Sequence, residues 1–248
     1  MELEVIALLV AVAACAGFVD AIAGGGGLLT LPALLMAGMP PVAAIATNKL
    51  QGTFGVAASS FAFWRAGLVD VARLKGAVAA TALGAGIGSL AVQGLDPGWL
   101  RFAVPAVLIV IAAYFAAAPY IPQTAHRLRL GPAAFAAAVA LPIGAYDGFL
   151  GPGAGSMYLM GFVALAGTDL VKGVAATKLL NLTSNAVALA IFAASGHVDY
   201  GVGLAMACGQ IVGSRAGAEA AMARGAPLIR PLVVIVAVVI AASLLIRG

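Results

Sequence analysis

The sequence predicts an all-α protein that crosses a membrane several times. Of its 248 residues, 63% are hydrophobic and 9% are charged, and the mean hydropathy is +1.11. A typical soluble domain is about 45–50% apolar and about 25% charged, so this chain has too few polar groups to cover a surface in water. This composition excludes a soluble enzyme. The net charge of +4 is small and lies mostly in loops, which argues against a nucleic-acid binder.

Apolar runs follow one another along the chain, and most are as long as a membrane helix. They lack the period-two alternation of a membrane β-barrel, and only helices or closed barrels satisfy the backbone in lipid. Two runs, 28–38 and 156–167, are shorter than the ~20 residues of a full crossing, and each follows a glycine-rich stretch. The runs cover residues 3–19, 28–38, 41–64, 74–93, 100–118, 133–150, 156–167, 170–194, 200–222 and 228–246.

Four blocks of sequence recur in the same order, which predicts two copies of one unit. Residues 17–20 are echoed by 144–147, 46–53 by 176–183, 67–70 by 196–199, and 84–89 by 209–214. The predicted organisation is therefore a first transmembrane repeat over 1–118, a linker over 119–131 and a second repeat over 132–248.

The basic residues favour inverted copies, because cytoplasmic loops collect Lys and Arg. If the short runs cross, each copy has about five crossings and the second copy is inverted. Eight of the ten loop Lys and Arg residues are then cytoplasmic. If the short runs are re-entrant, leaving eight full spans, six of the ten are cytoplasmic. The inverted arrangement, with a cytoplasmic linker, is the prediction, and the re-entrant one is the alternative.

Glycine-rich stretches at matching places predict a broken helix in each copy. Inverted repeats with broken helices are typical of secondary transporters, whose binding site lies near the membrane midplane. Unwound glycine backbone lets a solute approach, and each resumed half-helix offers unpaired N–H groups. The substrate-binding residues expected at the breaks are Gly24, Gly25, Gly26, Gly27, Gly151, Gly153, Gly155 and Ser156.

Lys49 and Lys178 are charges at membrane depth. On insertion scales such a charge costs about 2.5–3.5 kcal/mol, which makes each lysine a candidate for function. Amide and hydroxyl side chains surround both, and such donors suit an anion with several acceptor oxygens. The alternative is structural, with each lysine paired to Asp20 or Asp147. The binding residues expected here are Thr47, Asn48, Lys49, Gln51, Thr177, Lys178 and Asn181.

Asp20 and Asp147 end the first apolar run of each copy, just before the glycines. Two roles are open for them. In the first role they carry a coupling proton, since apolar surroundings favour the uncharged form of a carboxyl group. Alternatively, they cap the broken helix, as Asp commonly does.

No group of residues predicts catalysis. His126 and His197 lie in loops, so neither a metal site nor a cofactor is expected. Ser156 follows Gly155 without a partner histidine or lysine nearby in sequence, which leaves an intramembrane hydrolase only as an alternative of another class.

Other residues in the apolar runs are expected to be structural. Arg215 and Glu219 lie four residues apart and should form an ion pair along one helix. Cys15 and Cys208 are expected to be buried thiols. Glycines with the spacing of helix contacts should serve close packing. These are Gly84, Gly86, Gly88, Gly209, Gly213 and Gly217.

The glycine and lysine motifs resemble those of a known family. GFVDAIAGGGGLLTLP at 17–32, followed by ATNKL at 46–50, resembles the first-half pattern of the TauE/SafE family. DGFLGPG at 147–153, with ATK at 176–178 and Asn181, resembles its second half. The resemblance covers the whole chain and implies a bacterial inner-membrane exporter of sulfite, sulfoacetate or other sulfonates. Family members are usually predicted with fewer than ten spans.

We therefore expect a secondary transporter of small anions that works by alternating access, with proton coupling through Asp20 and Asp147 as a hypothesis. The alternatives are an anion channel, a carrier of other organic anions, or a membrane scaffold that transports nothing. The expected partners are a small anionic substrate and membrane lipid, and not nucleic acid. A homodimer is one possible oligomeric state, because the glycine-rich helix faces suit packing either within one chain or between two chains.

Overall fold

The computed structural model describes residues 2–96, 98–100, 102–104, 106–107, 110 and 130–225. Within these ranges the regular structure is entirely helical. The run 228–246 and most of 100–118 and of the linker 119–131 lie outside the described residues. The helices with described bounds are α1 Leu3–Ala23, α2 Gly27–Met36, α3 Pro41–Arg65, α4 Val71–Gln93, α5 Pro132–Phe149, α6 Ala154–Leu165, α7 Leu170–Ala194 and α8 Tyr200–Arg224.

The helix ends follow local sequence. Pro41 occupies the first turn of α3, where a missing N–H is tolerated. The Asp70 side chain caps α4 by accepting from the backbone N–H of Arg73 at 3.1 Å. Asp199 caps α8 in the same way, accepting from Val202 at 3.0 Å. These caps explain why the block 67–70 recurs at 196–199: it marks the same helix start in each copy.

The helix bounds fix the register between the two copies. Helices α3 and α7 both have 25 residues and begin 129 residues apart, which puts Lys49 and Lys178 at equivalent positions. Helices α4 and α8 also begin 129 residues apart. The predicted match of 46–53 with 176–183 is thus wrong by one residue, and that of 84–89 with 209–214 by one helical turn. Matches of two residues, such as Ala-Thr and Gly-Ser, are too short to fix a register.

Backbone contacts confirm the corrected register. A Cβ on Gly84 would lie 2.2 Å from the carbonyl oxygen of Leu141, and one on Gly213 would lie 1.9 Å from that of Ala14. Leu141 and Ala14 are equivalent positions in the first helix of each copy. The fourth helix of each copy therefore packs backbone to backbone on the first helix of the other.

The predicted packing role is confirmed for most of the spaced glycines and is wrong for Gly86. A Cβ on Gly86 would only reach Val187 at 3.9 Å and Ile191 at 4.0 Å, which are ordinary contacts. Gly86 points away from the α4–α5 contact because a step of two residues turns it to roughly the opposite side of the helix from Gly84 and Gly88. The confirmed glycines are Gly84, Gly88, Gly209, Gly213 and Gly217.

Helices α3 and α7 lie at the centre of the bundle. They pack against each other, α3 also packs on α8, and α7 also packs on α4. The short helices flank this centre: α2 contacts α1 and α3, and α6 contacts α7. Helices of the predicted first repeat thus pack on helices of the predicted second repeat, around the central helices that carry the buried lysines.

The described helices confirm an all-α, multi-pass membrane protein. Among the described residues, four helices are long and apolar enough to cross a membrane: α1, α4, α5 and α7. Helices α2 and α6 are apolar but shorter, whereas α3 and α8 are long but more polar. Five crossings per copy and the inversion of the second copy stay predictions.

Two smaller expectations had different outcomes. The predicted pair is confirmed, with Arg215 Nε 3.2 Å from Glu219 Oε1 on the exposed face of α8. Burial of Cys15 and Cys208 is wrong, since both thiols are free and exposed. Apolar runs in a membrane protein contact lipid as well as the interior, so a position in such a run does not imply burial.

Candidate functional site

Two buried lysines pair with aspartates of the opposite copy. Lys49 Nζ lies 2.6 Å from Asp147 Oδ1, and Lys178 Nζ lies 2.9 Å from Asp20 Oδ2. The lysines are 1% and 0% exposed. Each pair joins the central helix of one copy to the broken helix of the other. This is the geometry of the structural alternative, in which the lysines hold the bundle together.

Asp20 joins the two ends of the first break. Its Oδ1 accepts from the backbone N–H of Gly26 at 3.2 Å, just before α2 begins. Its backbone oxygen accepts from Gly24 at 2.8 Å and also from Lys178 Nζ. The lysine therefore places a positive charge at the carbonyl end of α1, where the helix dipole favours a cation. For Asp20 the geometry includes the capping contact.

Asp147 is surrounded by side chains. Its Oδ1 accepts from Lys49 and its Oδ2 accepts from Ser184 Oγ on α7. Among the described residues no backbone N–H of the second break donates to its carboxylate, so Asp147 does not repeat the capping contact of Asp20. The aspartates are equivalent in sequence and differ in their hydrogen bonds.

The two glycine breaks lie against each other. Gly24 has a φ of +76°, which favours glycine, and a Cβ on it would lie 2.5 Å from the carbonyl carbon of Gly155. Ser156 Oγ lies 2.7 Å from the carbonyl oxygens of both Ala23 and Gly24, and its backbone N–H donates to Gly24 at 2.9 Å. Ser156 thus satisfies carbonyls that the end of α1 leaves without helical partners.

The hydroxyl of Ser156 should contribute to stability. We expect Ser156→Ala to lower the free energy of unfolding by about 1–2 kcal/mol, because buried carbonyls lose a donor. The control is Ser195→Ala, which removes an exposed hydroxyl bound to Ile191 O at 3.0 Å and should change stability by less than about 0.5 kcal/mol. Denaturant unfolding in detergent measures both. Equal effects of the two substitutions would contradict a structural role for Ser156.

A small polar cavity of about 40 Å³ lies between the breaks and the central helices. A cavity of this size holds a few water molecules or a small ion. The expected residues that line it are Asp20, Gly24, Gly27, Asn48, Lys49, Gln51, Asp147, Gly151, Gly153, Gly155 and Asn181. Lining residues that the sequence-based site did not include are Gly52, Val56, Ala154, Asn185 and Gln210.

Six expected site residues do not line the cavity: Gly25, Gly26, Thr47, Ser156, Thr177 and Lys178. Helical periodicity explains the threonines, since the lining positions of α3 recur at 48, 52 and 56 and those of α7 at 181 and 185. Thr47 lies on another face, where its Oγ1 accepts from the backbone of Asp199 at 3.1 Å. The same four-residue spacing is the signal that identifies Asn185 from Asn181.

Five carboxamide side chains from the described helices line the cavity. The oxygens Gln51 Oε1, Asn181 Oδ1 and Gln210 Oε1 are buried and have no hydrogen-bond partner among the described residues. An unpaired buried acceptor costs about 1–3 kcal/mol, so three around one cavity mark a place for water or for a ligand group that donates hydrogen bonds. Gln210 comes from α8, and the signal in sequence is one amide within a glycine-rich apolar run.

Comparisons with known proteins show similarity to a family of membrane transporters. The family model for the sulfite exporter TauE/SafE matches residues 9–244. The chain is 40% identical over 245 residues to "Probable membrane transporter protein ORF9" of Sinorhizobium sp., covering 99% of this chain and 94% of that one. It is 43% identical over 234 residues to "Probable membrane transporter protein YfcA" of Escherichia coli K12, covering 94% and 87%. No solved structure matches the chain significantly.

Proposed function

Since the chain belongs to the sulfite exporter TauE/SafE family of membrane transporters, we propose that it exports small sulfur-containing anions such as sulfite, sulfoacetate or other sulfonates. The observation that carries this proposal is a buried ammonium, Lys49, beside a cavity lined by carboxamides. The N–H groups of the ammonium and of the carboxamides, and not the carboxamide oxygens, can donate hydrogen bonds to the several oxygens of a sulfur oxyanion. The family description supports the same solute class.

The proposed mechanism is alternating access by two inverted copies of about five crossings each. One copy moves against the other, and the contact between Gly24 and Gly155 separates and re-forms together with the hydrogen bonds of Ser156 to Ala23 and Gly24. In this proposal the protein lies in the bacterial inner membrane with the linker 119–131 on the cytoplasmic side. The carboxylates available for proton coupling are Asp20 and Asp147, which both line the cavity.

The cavity favours a compact solute. At about 40 Å³ it matches a small inorganic oxyanion better than a sulfonate with a long organic chain. Among the named solutes, sulfite is therefore the first to test, and sulfoacetate would require the cavity to enlarge.

The proposal predicts saturable stabilisation of the purified protein by sulfite. Bound ligand at a hundred times Kd stabilises the folded state by about 2.7 kcal/mol, which raises Tm by several degrees. Thermal unfolding at several pH values should show this shift with sulfite, a smaller one with sulfoacetate and none with acetate. Absence of a shift with every sulfur anion would contradict the proposed solute class.

Transport itself is tested in proteoliposomes. A carrier should show saturable sulfite counterflow, in which unlabelled sulfite inside accelerates uptake of labelled sulfite from outside. Flux that neither saturates nor shows counterflow would indicate a channel. The absence of flux of any of these anions would overturn the transporter assignment of this chain.

A further inference from the structure

The two ion pairs hold equivalent positions but have different surroundings. We call Lys49 with Asp147 the cavity pair and Lys178 with Asp20 the junction pair. Both members of the cavity pair line the cavity, whereas Lys178 of the junction pair does not. The two lysines therefore hold equivalent positions on their helices, but only the ammonium group of Lys49 faces the cavity.

The junction pair is held by the break in α1. Lys178 Nζ donates to the carboxylate of Asp20 and to its backbone oxygen, while the same carboxylate accepts from Gly26. Separating this pair would leave the buried ammonium of Lys178 without a hydrogen-bond partner among the described residues and the Asp20 carboxylate without its counter-charge, which is strongly unfavourable. These contacts are those of a structural pair.

The cavity pair is held more loosely. Among the described residues, Lys49 Nζ donates only to Asp147, so two of the three N–H donors of the ammonium are unused there. A Cβ on Gly151 would lie 2.7 Å from Nζ, so the glycine leaves room beside the ammonium. Lys49 is therefore the lysine that an anion in the cavity can contact.

Asp147 keeps a partner when Lys49 is taken by another anion. Its Oδ2 accepts from Ser184 Oγ. The equivalent position of α3, 129 residues earlier, is Gly55, which has no hydroxyl. A hydroxyl both donates and accepts, so Ser184 can hydrogen-bond Asp147 in its ionised and in its protonated form.

Resting on the proposed transport function, we propose that the anion and one proton bind together at the cavity pair. The anion replaces Asp147 on the ammonium of Lys49, the Asp147 carboxylate takes up a proton from water, and the junction pair stays closed. The charges of the ammonium and carboxylate sum to zero before binding, and those of ammonium, monoanion and carboxylic acid sum to zero after it.

Charge balance is the reason for the proton. A monoanion bound alone would leave a net negative charge in a buried site, where uncompensated charge costs most. The junction pair cannot compensate it, because its own two charges already cancel. The ionisable side chains around Asp147 are Lys49 on α3, Lys178 on α7, Asp20 on α1, Tyr146 on α5 and Tyr158 on α6.

Calorimetric titration of sulfite into the purified protein counts the protons. In buffers of different ionisation enthalpy, wild type should take up about one proton more per bound sulfite than Asp147→Asn does. Sulfite's own ionisation is common to both proteins and cancels in the difference. The matched variant Asp20→Asn should retain the wild-type proton count per bound sulfite. Equal counts for wild type and Asp147→Asn would overturn the inference, and so would loss of the proton in Asp20→Asn alone.

A transport measurement on the wild type needs no variant. Because the bound set of charges is neutral, sulfite flux in proteoliposomes should be unchanged when a potassium diffusion potential of either sign is imposed. Flux that follows the potential would overturn the inference while leaving the transporter function intact. Asp147→Asn, which moves the anion without the proton, should make flux depend on the potential. A wild type without sulfite binding or flux would instead reject the proposed function.

Discussion

Lys49→Met is expected to abolish sulfite-dependent thermal stabilisation and to lower the free energy of unfolding by about 3–5 kcal/mol. Binding is lost because Lys49 is the ammonium beside the cavity. Stability falls because Asp147, 3% exposed, is left as a buried carboxylate without its counter-charge. Thermal and denaturant unfolding in detergent, with and without sulfite, measure the two effects separately.

A double variant separates the loss of binding from the loss of stability. Lys49→Met with Asp147→Asn removes both charges, and neutral replacement of a buried ion pair is often close to neutral in stability. This variant should fold and still fail to respond to sulfite. The matched variant Arg215→Met with Glu219→Gln, which removes the exposed ion pair of α8 away from the cavity, should keep a sulfite response. A sulfite response in the first double variant would remove Lys49 from the binding site.

The class of fold and the position of the lysines could be predicted because each depends on a local property of the chain. Apolar runs of a given length identify membrane helices wherever they occur. Lys49 and Lys178 are conspicuous because charges inside apolar runs are costly. The glycine-rich breaks are equally local, since unwound backbone at positive φ, as at Gly24 and Gly151, favours glycine.

The pairing of charges could not be predicted because it depends on how the copies interlock. Sequence places Asp20 nearest to Lys49, yet Asp20 pairs with Lys178 across the bundle. The exchange of helices between copies decides this, and it rests on backbone contacts such as that of Gly213 with Ala14. Gln210 was missed for the same reason, since only the packing of α8 on α3 brings it to the cavity.

Pseudo-symmetry and asymmetry have different physical origins in this protein. The caps and glycine contacts recur because both copies need the same helix starts and the same close approach. Several uncharged polar side chains of the central helices do not recur: Ser184 corresponds to Gly55, and Asn181 corresponds to Gly52. The caps and glycine contacts that both repeats share position the helices. The side chains that differ between the repeats place more polar groups around Lys49 than around Lys178. A search for function in a repeated chain should therefore look first at where the copies differ.

Gly88→Ala is expected to destabilise the protein by about 3 kcal/mol, the upper end of the cost of overpacking. A Cβ at this position would lie 1.9 Å from the carbonyl oxygen of Ala145. The opposing atom is backbone, so no side chain can rotate away, and α4 and α5 must move apart along their contact. Denaturant unfolding in detergent measures the loss of stability.

Two glycines of the same helix serve as controls for Gly88→Ala. A Cβ on Gly76 would meet nothing within 4 Å, and one on Gly86 would make only ordinary contacts with Val187 and Ile191. Alanine at either site should leave stability unchanged or raise it by up to about 1 kcal/mol, because alanine favours helix over glycine. The three variants differ in what the new methyl group meets and not in helix propensity. Similar effects at all three sites would show that the loss comes from the helix itself and would contradict backbone packing between the copies.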